Sequence, residues 1–182
     1  MNKSELLHAI STTLVKAKAE RLAALTANKE VSVSDLLELT FYNQPDIAFR
    51  AAWILECVVR KYPERFESLI PEFLDRYIEQ NNQSCQRHFT KIITCITDPK
   101  WSAMQHLVPH YNVEPIIEKT FEWLIDEKAP VALQVNCMDV LFNLRNRSSW
   151  IGEELRSQIL FLLHDGSPAV QSRGKAILKK LK

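Results

Sequence analysis

Pro45-Asp46-Ile47-Ala48-Phe49-Arg50-Ala51-Ala52-Trp53-Ile54-Leu55 returns near the C-terminus as Pro168-Ala169-Val170-Gln171-Ser172-Arg173-Gly174-Lys175-Ala176-Ile177-Leu178. Both copies share a proline, an apolar residue two places on, an arginine, a small residue directly after it, and a closing Ile-Leu pair. A weaker echo begins at Pro130. Proline is favoured in the first turn of a helix, and residues three and four apart fall on one helical face. The stretch therefore reads as a helix that recurs, and recurrence is the first property to follow along the chain.

Outward from it the pattern stays helical. The 182 residues contain only three glycines, Gly152, Gly166 and Gly174, which excludes a Gly-rich phosphate loop and most tight β-hairpins. Apolar spacing is three to four nearly everywhere, so an all-α chain is expected. Residues 4–27 read as one long helix capped by Ser4 and broken at Asn28-Lys29-Glu30. Helices follow at 35–43, capped by Ser34, at 46–62, and at 64–80, where Pro71 predicts a kink or break at Ile70. A helix over 84–97 ends at Asp98-Pro99, and 100–112 is irregular or holds one short helix around Met104. The spacing then predicts helices at 114–128, 131–146, 151–164 and 168–181. Gly166 is expected as a left-handed cap, and Ser167-Pro168 as the start of the last helix.

The short links pair these segments as hairpins: 35–43 with 46–62, 64–80 with 84–97, 114–128 with 131–146, and 151–164 with 168–181. Ile47, Cys85, Leu133 and Val170 take equivalent places in the second helices, 38, 48 and 37 residues apart. Four places on stand Ala51, Phe89, Cys137 and Gly174, and eight places on stand Leu55, Ile93, Leu141 and Leu178. These three columns are the predicted packing face.

On those residues the chain resembles the HEAT/armadillo-type helical repeat family over roughly 34–182. The resemblance implies a right-handed α-α superhelix, a HEAT-like solenoid of about four hairpins, in a single domain 1–182 with 1–33 as an N-terminal capping helix. It also implies a binding scaffold, with second helices lining a concave face and first helices the convex one. One column departs from the family. Where the family carries an arginine in a charge ladder, this chain has Ala48, Gln86, Gln134 and Gln171, so amide hydrogen bonding is expected in its place.

Net charge is +1, so no global field draws the chain to nucleic acid or membrane. The charges are nonetheless segregated. The second helices carry Arg50, Arg60, Lys61, Arg87, Lys91, Arg145, Arg147, Arg173 and the closing lysines against only Asp46, Glu56 and Asp139, while the first helices are acidic. Interhelical salt bridging and the preference of Lys and Arg for helix C-termini account for the same pattern without any partner.

If the three apolar columns face inward, the opposite face reads Phe49, Trp53, Glu56 and Arg60, then Arg87, Lys91 and Thr94, then Val135, Asp139, Phe142 and Asn146, then Ser172, Ala176 and Lys179. Aromatics among cations suit an anionic segment or stacked bases. Packing under the N-terminal helix or against a neighbouring repeat is the alternative for Phe49, Trp53 and Phe142. The binding candidates are Phe49, Trp53, Arg60, Arg87, Lys91, Asp139, Phe142 and Asn146.

No catalytic arrangement emerges. His106 and His110 have helical ligand spacing, but Pro109 lies between them and no third ligand is placed, so neither metal nor cofactor is expected. His8, His88 and His164 read as surface or half-buried residues. Asp139 is the sole acid of its helix and shares a face with Phe142. It pairs with Arg145 or a nearby lysine, or it serves in the style of the HEAT-like DNA alkylation-repair glycosylases, although no Trp-Asp motif matches theirs. Cys57, Cys85, Cys95 and Cys137 form no Cys-x-x-Cys pair, no apolar run reaches ~18 residues, and the first eight residues lack the apolar block of a secretion signal. These point to reduced, mostly buried thiols and a cytoplasmic protein. The expectation is a non-enzymatic scaffold holding an acidic protein segment, as monomer or homodimer, with nucleic acid as the alternative partner and no membrane.

Overall fold

A computed structural model describes residues 1–12, 14–100 and 108–181. The chain is all-α over these residues and divides into two compact units, Met1–Cys95 and Ile96–Lys182.

In the first unit the N-terminal segment is two helices, α1 (Lys3–Ser11) and α2 (Lys16–Ala27), rather than one. The cause is local. Ser11 and Thr12 turn their hydroxyls onto the Leu7 and Ala9 carbonyls, and Thr12 and Val15 are extended, as hydroxyl-bearing and β-branched residues favour. The cap of α1 is Asn2, in a reciprocal capping box with Glu5, and not Ser4. Ser32, not Ser34, caps α3 (Val33–Leu39) by accepting from the Asp35 amide. Helix α2 ends in a Schellman turn: the Lys29 amide donates to Thr26 and the Glu30 amide to Leu25, with Lys29 left-handed at φ 61°.

α4 (Pro45–Lys61) is the central helix of this unit and packs on α1, α2 and α3. Pro63–Arg65 and Glu67–Leu69 are 3-10 turns, and α5 (Ile70–Tyr77) begins at Ile70, where Pro71 interrupts the longer helical pattern. α6 (Gln83–Thr97) closes over α5 through Phe89, whose ring lies 4.8 Å from Phe73 and stacks on Tyr77.

The second unit holds a 3-10 turn at Val108–His110 and then α7 (Glu114–Ile125), α8 (Val131–Leu144), α9 (Ser149–Leu162) and α10 (Pro168–Leu178). Here α8 is central and packs on α7, α9 and α10. The expectation of a helix around Met104 lies outside the described residues. Gly166 is not left-handed, because no glycine has a positive φ. It is small for another reason: a Cβ there would run into the Leu162 carbonyl oxygen and the Val170 side chain.

The repeat frame is realised in the packing. Every member of the three predicted columns is buried except Leu178, which is half-buried. Gly174 lets α9 and α10 approach, since a Cβ there would stand 2.9 Å from Ile159. The amide column also bonds, but mostly within its own turn: Gln86 donates to the Gln80 carbonyl and Gln171 to that of Gly166. Longer ties come from other side chains about one repeat apart. Gln80 donates to Thr40, Asn82 to Pro45, Arg50 to Ile10 and Ser11, and Arg65 to Thr26. Arg50 and Arg65 thereby neutralise carbonyls at the ends of α1 and α2, where the helix dipole favours a cation.

Candidate functional site

α4 and α6 build the most organised polar cluster of the first unit. Along α4, Phe49, Trp53, Glu56 and Arg60 recur at helical spacing, and along α6 Arg87, His88 and Lys91 do the same. Glu56 is the centre. Its side chain is only 7% exposed, yet it carries a carboxylate, so partners must replace the lost water. Nδ1 of His88 lies 2.6 Å from Oε2, while the Arg60 guanidinium and the Lys91 ammonium each lie 3.5 Å from Oε1. Burial pushes the Glu56 carboxyl up, but His88, Lys91 and Arg60 together outweigh it and hold the carboxyl below its ordinary value. The ionised carboxylate accepts, so Nδ1 of His88 donates. Nε2 of the same ring is buried without a partner among the described residues.

Aromatic rings adjoin the His88 side of this cluster. Phe49 lies 5.3 Å from the His88 ring and 6.2 Å from Trp53, and both Phe49 and Trp53 are half-buried. Their ring contacts among the described residues are with each other and, for Phe49, with His88. His88 itself is buried, not a surface or half-buried residue, because α6 turns it inward against Phe49 and Glu56. Glu56 likewise departs from the outward-facing column, since burial with His88 draws it in. Arg60 and Arg87 are exposed and Lys91 is half-exposed. Phe49, Trp53, Arg60 and Lys91 are therefore brought together, with Arg87 one turn before Lys91 on the same helix. Sequence reasoning missed His88, because its approach to Glu56 depends on the register between two helices and leaves no mark in either one.

The remaining candidates belong to the second unit. Asp139 pairs with Arg173 of α10, 2.5 Å away, and not with Arg145. Burial raises the Asp139 carboxyl above its ordinary value despite the opposing pull of Arg173 and Lys180. Arg145 instead lies over the Phe142 ring at 4.0 Å and donates to the Phe142 carbonyl, with Lys180 5.9 Å from the same ring. Asn146 is exposed beside Arg145, Arg156 and Lys180 at a hollow of about 620 Å³.

Several bases that made the second helices cationic are thus engaged within the protein: Arg50 with carbonyls, Arg173 with Asp139, and Lys61 with Glu20. Charge segregation is partly internal pairing, and Arg60 and Lys91 are gathered at Glu56 with much of each side chain still in water. No group of three metal-ligating side chains occurs among the described residues, and His106 lies outside them. The thiols are free. Burial pushes Cys85 up to about 12 and Cys137 further still. Among the described residues no helix is long and apolar enough to cross a membrane.

The family model for the HEAT repeat domain matches the chain over residues 6–181. No curated protein and no solved structure gives a significant match.

Proposed function

The chain belongs to the HEAT repeat domain family, and from that premise we propose that it is a non-enzymatic scaffold holding an acidic protein segment on the α4–α6 surface. In this reading the four hairpins α3/α4, α5/α6, α7/α8 and α9/α10 are successive repeats, with α1 and α2 as an N-terminal cap. The observation that carries the proposal is the Phe49–Trp53 pair, joined through His88 to the buried Glu56 that Arg60 and Lys91 also approach. Two cations, Arg60 and Lys91, stand there against the Glu56 carboxylate that both approach. The aromatic faces accept an apolar or aromatic side chain of the partner, and the cations accept its carboxylates. A segment alternating Glu or Asp with Phe or Leu meets both demands.

The test uses the full chain and three fluorescein-labelled probes of equal length: a Glu/Phe peptide, its Lys/Phe counterpart, and oligothymidylate. The proposal expects the acidic peptide to bind, the basic one to bind at least about tenfold more weakly at this surface, and the oligonucleotide not to compete. Tight binding of oligothymidylate that falls steeply with salt, with no retention of the acidic peptide, would assign the surface to nucleic acid instead.

A further inference from the structure

A second, oppositely charged groove lies in the second unit. α9 buries Ile151, Leu155 and Ile159, and its other side leaves Leu160 55% and Phe161 77% exposed. Beside them is a groove of about 680 Å³, bounded by the end of α9, the start of α10 and the turn between α7 and α8. Val170 and Leu162 contribute apolar surface to its wall, and Glu127 and Asp165 stand at it with their carboxylates. Ile125 and Val131, which bracket the turn that supplies Glu127, are also exposed. Among the described residues, two neighbouring exposed large apolar side chains, Leu160 and Phe161, thus line one concavity, whereas scattered exposed apolar residues need no explanation.

The charge at this groove names the occupant. Glu127 has no ion-pair partner among the described residues, and the Asp165 carboxylate meets only the exposed His164 ring at 2.8 Å. An acidic segment or a nucleic-acid strand placed here would set its anions against these carboxylates. We infer that the groove docks a short basic amphipathic segment of a partner protein, an apolar side chain resting on Leu160 and Phe161 and Lys or Arg side chains meeting Glu127 and Asp165. The polarity is the reverse of the α4–α6 surface, so the two sites select different partners and neither proposal depends on the other. Two segments of opposite charge held on one chain would make the protein a bridge.

Fluorescence anisotropy of the full chain with a labelled Lys/Leu amphipathic peptide, and with its Glu/Leu counterpart, tests the inference. Binding of the basic peptide is expected to weaken about tenfold or more in Leu160→Gln plus Phe161→Ser, and to weaken with salt and in Glu127→Gln plus Asp165→Asn. Phe161→Leu is expected to retain it. All these side chains are solvent-facing, so an unchanged melting curve shows that the variants fold. A loss of Glu/Leu affinity in the Leu160/Phe161 variant as large as the loss of Lys/Leu affinity, no binding of the Lys/Leu peptide, or full Lys/Leu affinity in that variant overturns the inference. Sedimentation showing self-association that Phe161→Ser abolishes overturns it as well, by making a second copy of the chain the occupant.

Discussion

Nδ1 of His88 lies 2.6 Å from Oε2 of Glu56, two buried side chains on helices α4 and α6 that are 32 residues apart in sequence. The pair joins a carboxylate that could not stay buried alone to a ring that orients it, with Lys91 and Arg60 supplying positive charge. Removing a charged partner from a buried hydrogen bond costs about 1.5–3 kcal/mol. Because Lys91 and Arg60 are partly in water, Glu56→Gln is expected near the lower end, about 1.5 kcal/mol, by urea denaturation followed by circular dichroism. A change within a few tenths would show that the cluster contributes nothing to stability.

Acidification acts through the same carboxyl. The folded-state value of Glu56 lies below its ordinary 4.5, so its stabilisation is complete above about pH 4.5 and is lost as pH falls through the folded-state value. Asp139 works in the other sense. Its raised value means that ionisation costs stability above that value, and the cost disappears on acidification. The urea midpoint of the wild type is therefore expected to fall below about pH 4.5, and that of Glu56→Gln to fall less steeply. Parallel pH profiles for the two proteins would refute the assignment.

The three glycines separate by what a Cβ would meet. Gly152 faces open space inside α9, so Gly152→Ala is expected to stabilise by about 0.5–1 kcal/mol. Gly174→Ala forces Ile159 and Leu163 to move and is expected to cost about 1–3 kcal/mol. Gly166→Ala meets a backbone carbonyl that cannot swing aside, and is expected to cost at least as much as Gly174→Ala. Thermal melts of the three variants give the order directly.

Lys29 holds the left-handed position of the α2 Schellman turn, where glycine is the usual occupant. Relief of the left-handed cost outweighs the extra freedom glycine gives the unfolded chain. Lys29→Gly is expected to stabilise by about 0.5–1 kcal/mol, while Lys29→Val lowers the melting temperature.

What could be read from the sequence follows the range of the interactions involved. The frame Ile47, Ala51 and Leu55, with its echoes to Val170 and Gly174, was legible because a 3.6-residue period is written in neighbouring residues. The break at Ile70 was legible because Pro71 acts on its own turn. The division of α1 from α2 was hidden by apolar residues that keep helical spacing through Ser11 and Thr12 while the hydroxyls there end the helix. Gly166 was expected for its φ, but the constraint is the approach of Leu162 and Val170, which only packing reveals. Asp139 took Arg173 from α10 instead of Arg145 next to its own helix, and Arg145 stacked on Phe142. The candidate surface was visible as two helical stripes, Phe49, Trp53 and Arg60 on one helix and Arg87 and Lys91 on another. The buried Glu56–His88 contact that organises it was not.

The most direct measurement is the affinity of the Glu/Phe peptide for the wild type and for the triple variant Arg60→Gln, Arg87→Gln, Lys91→Gln, with melting curves to confirm the fold. The account predicts a loss of about tenfold or more, deepened further by Trp53→Ala. Unchanged affinity in a folded triple variant would contradict it.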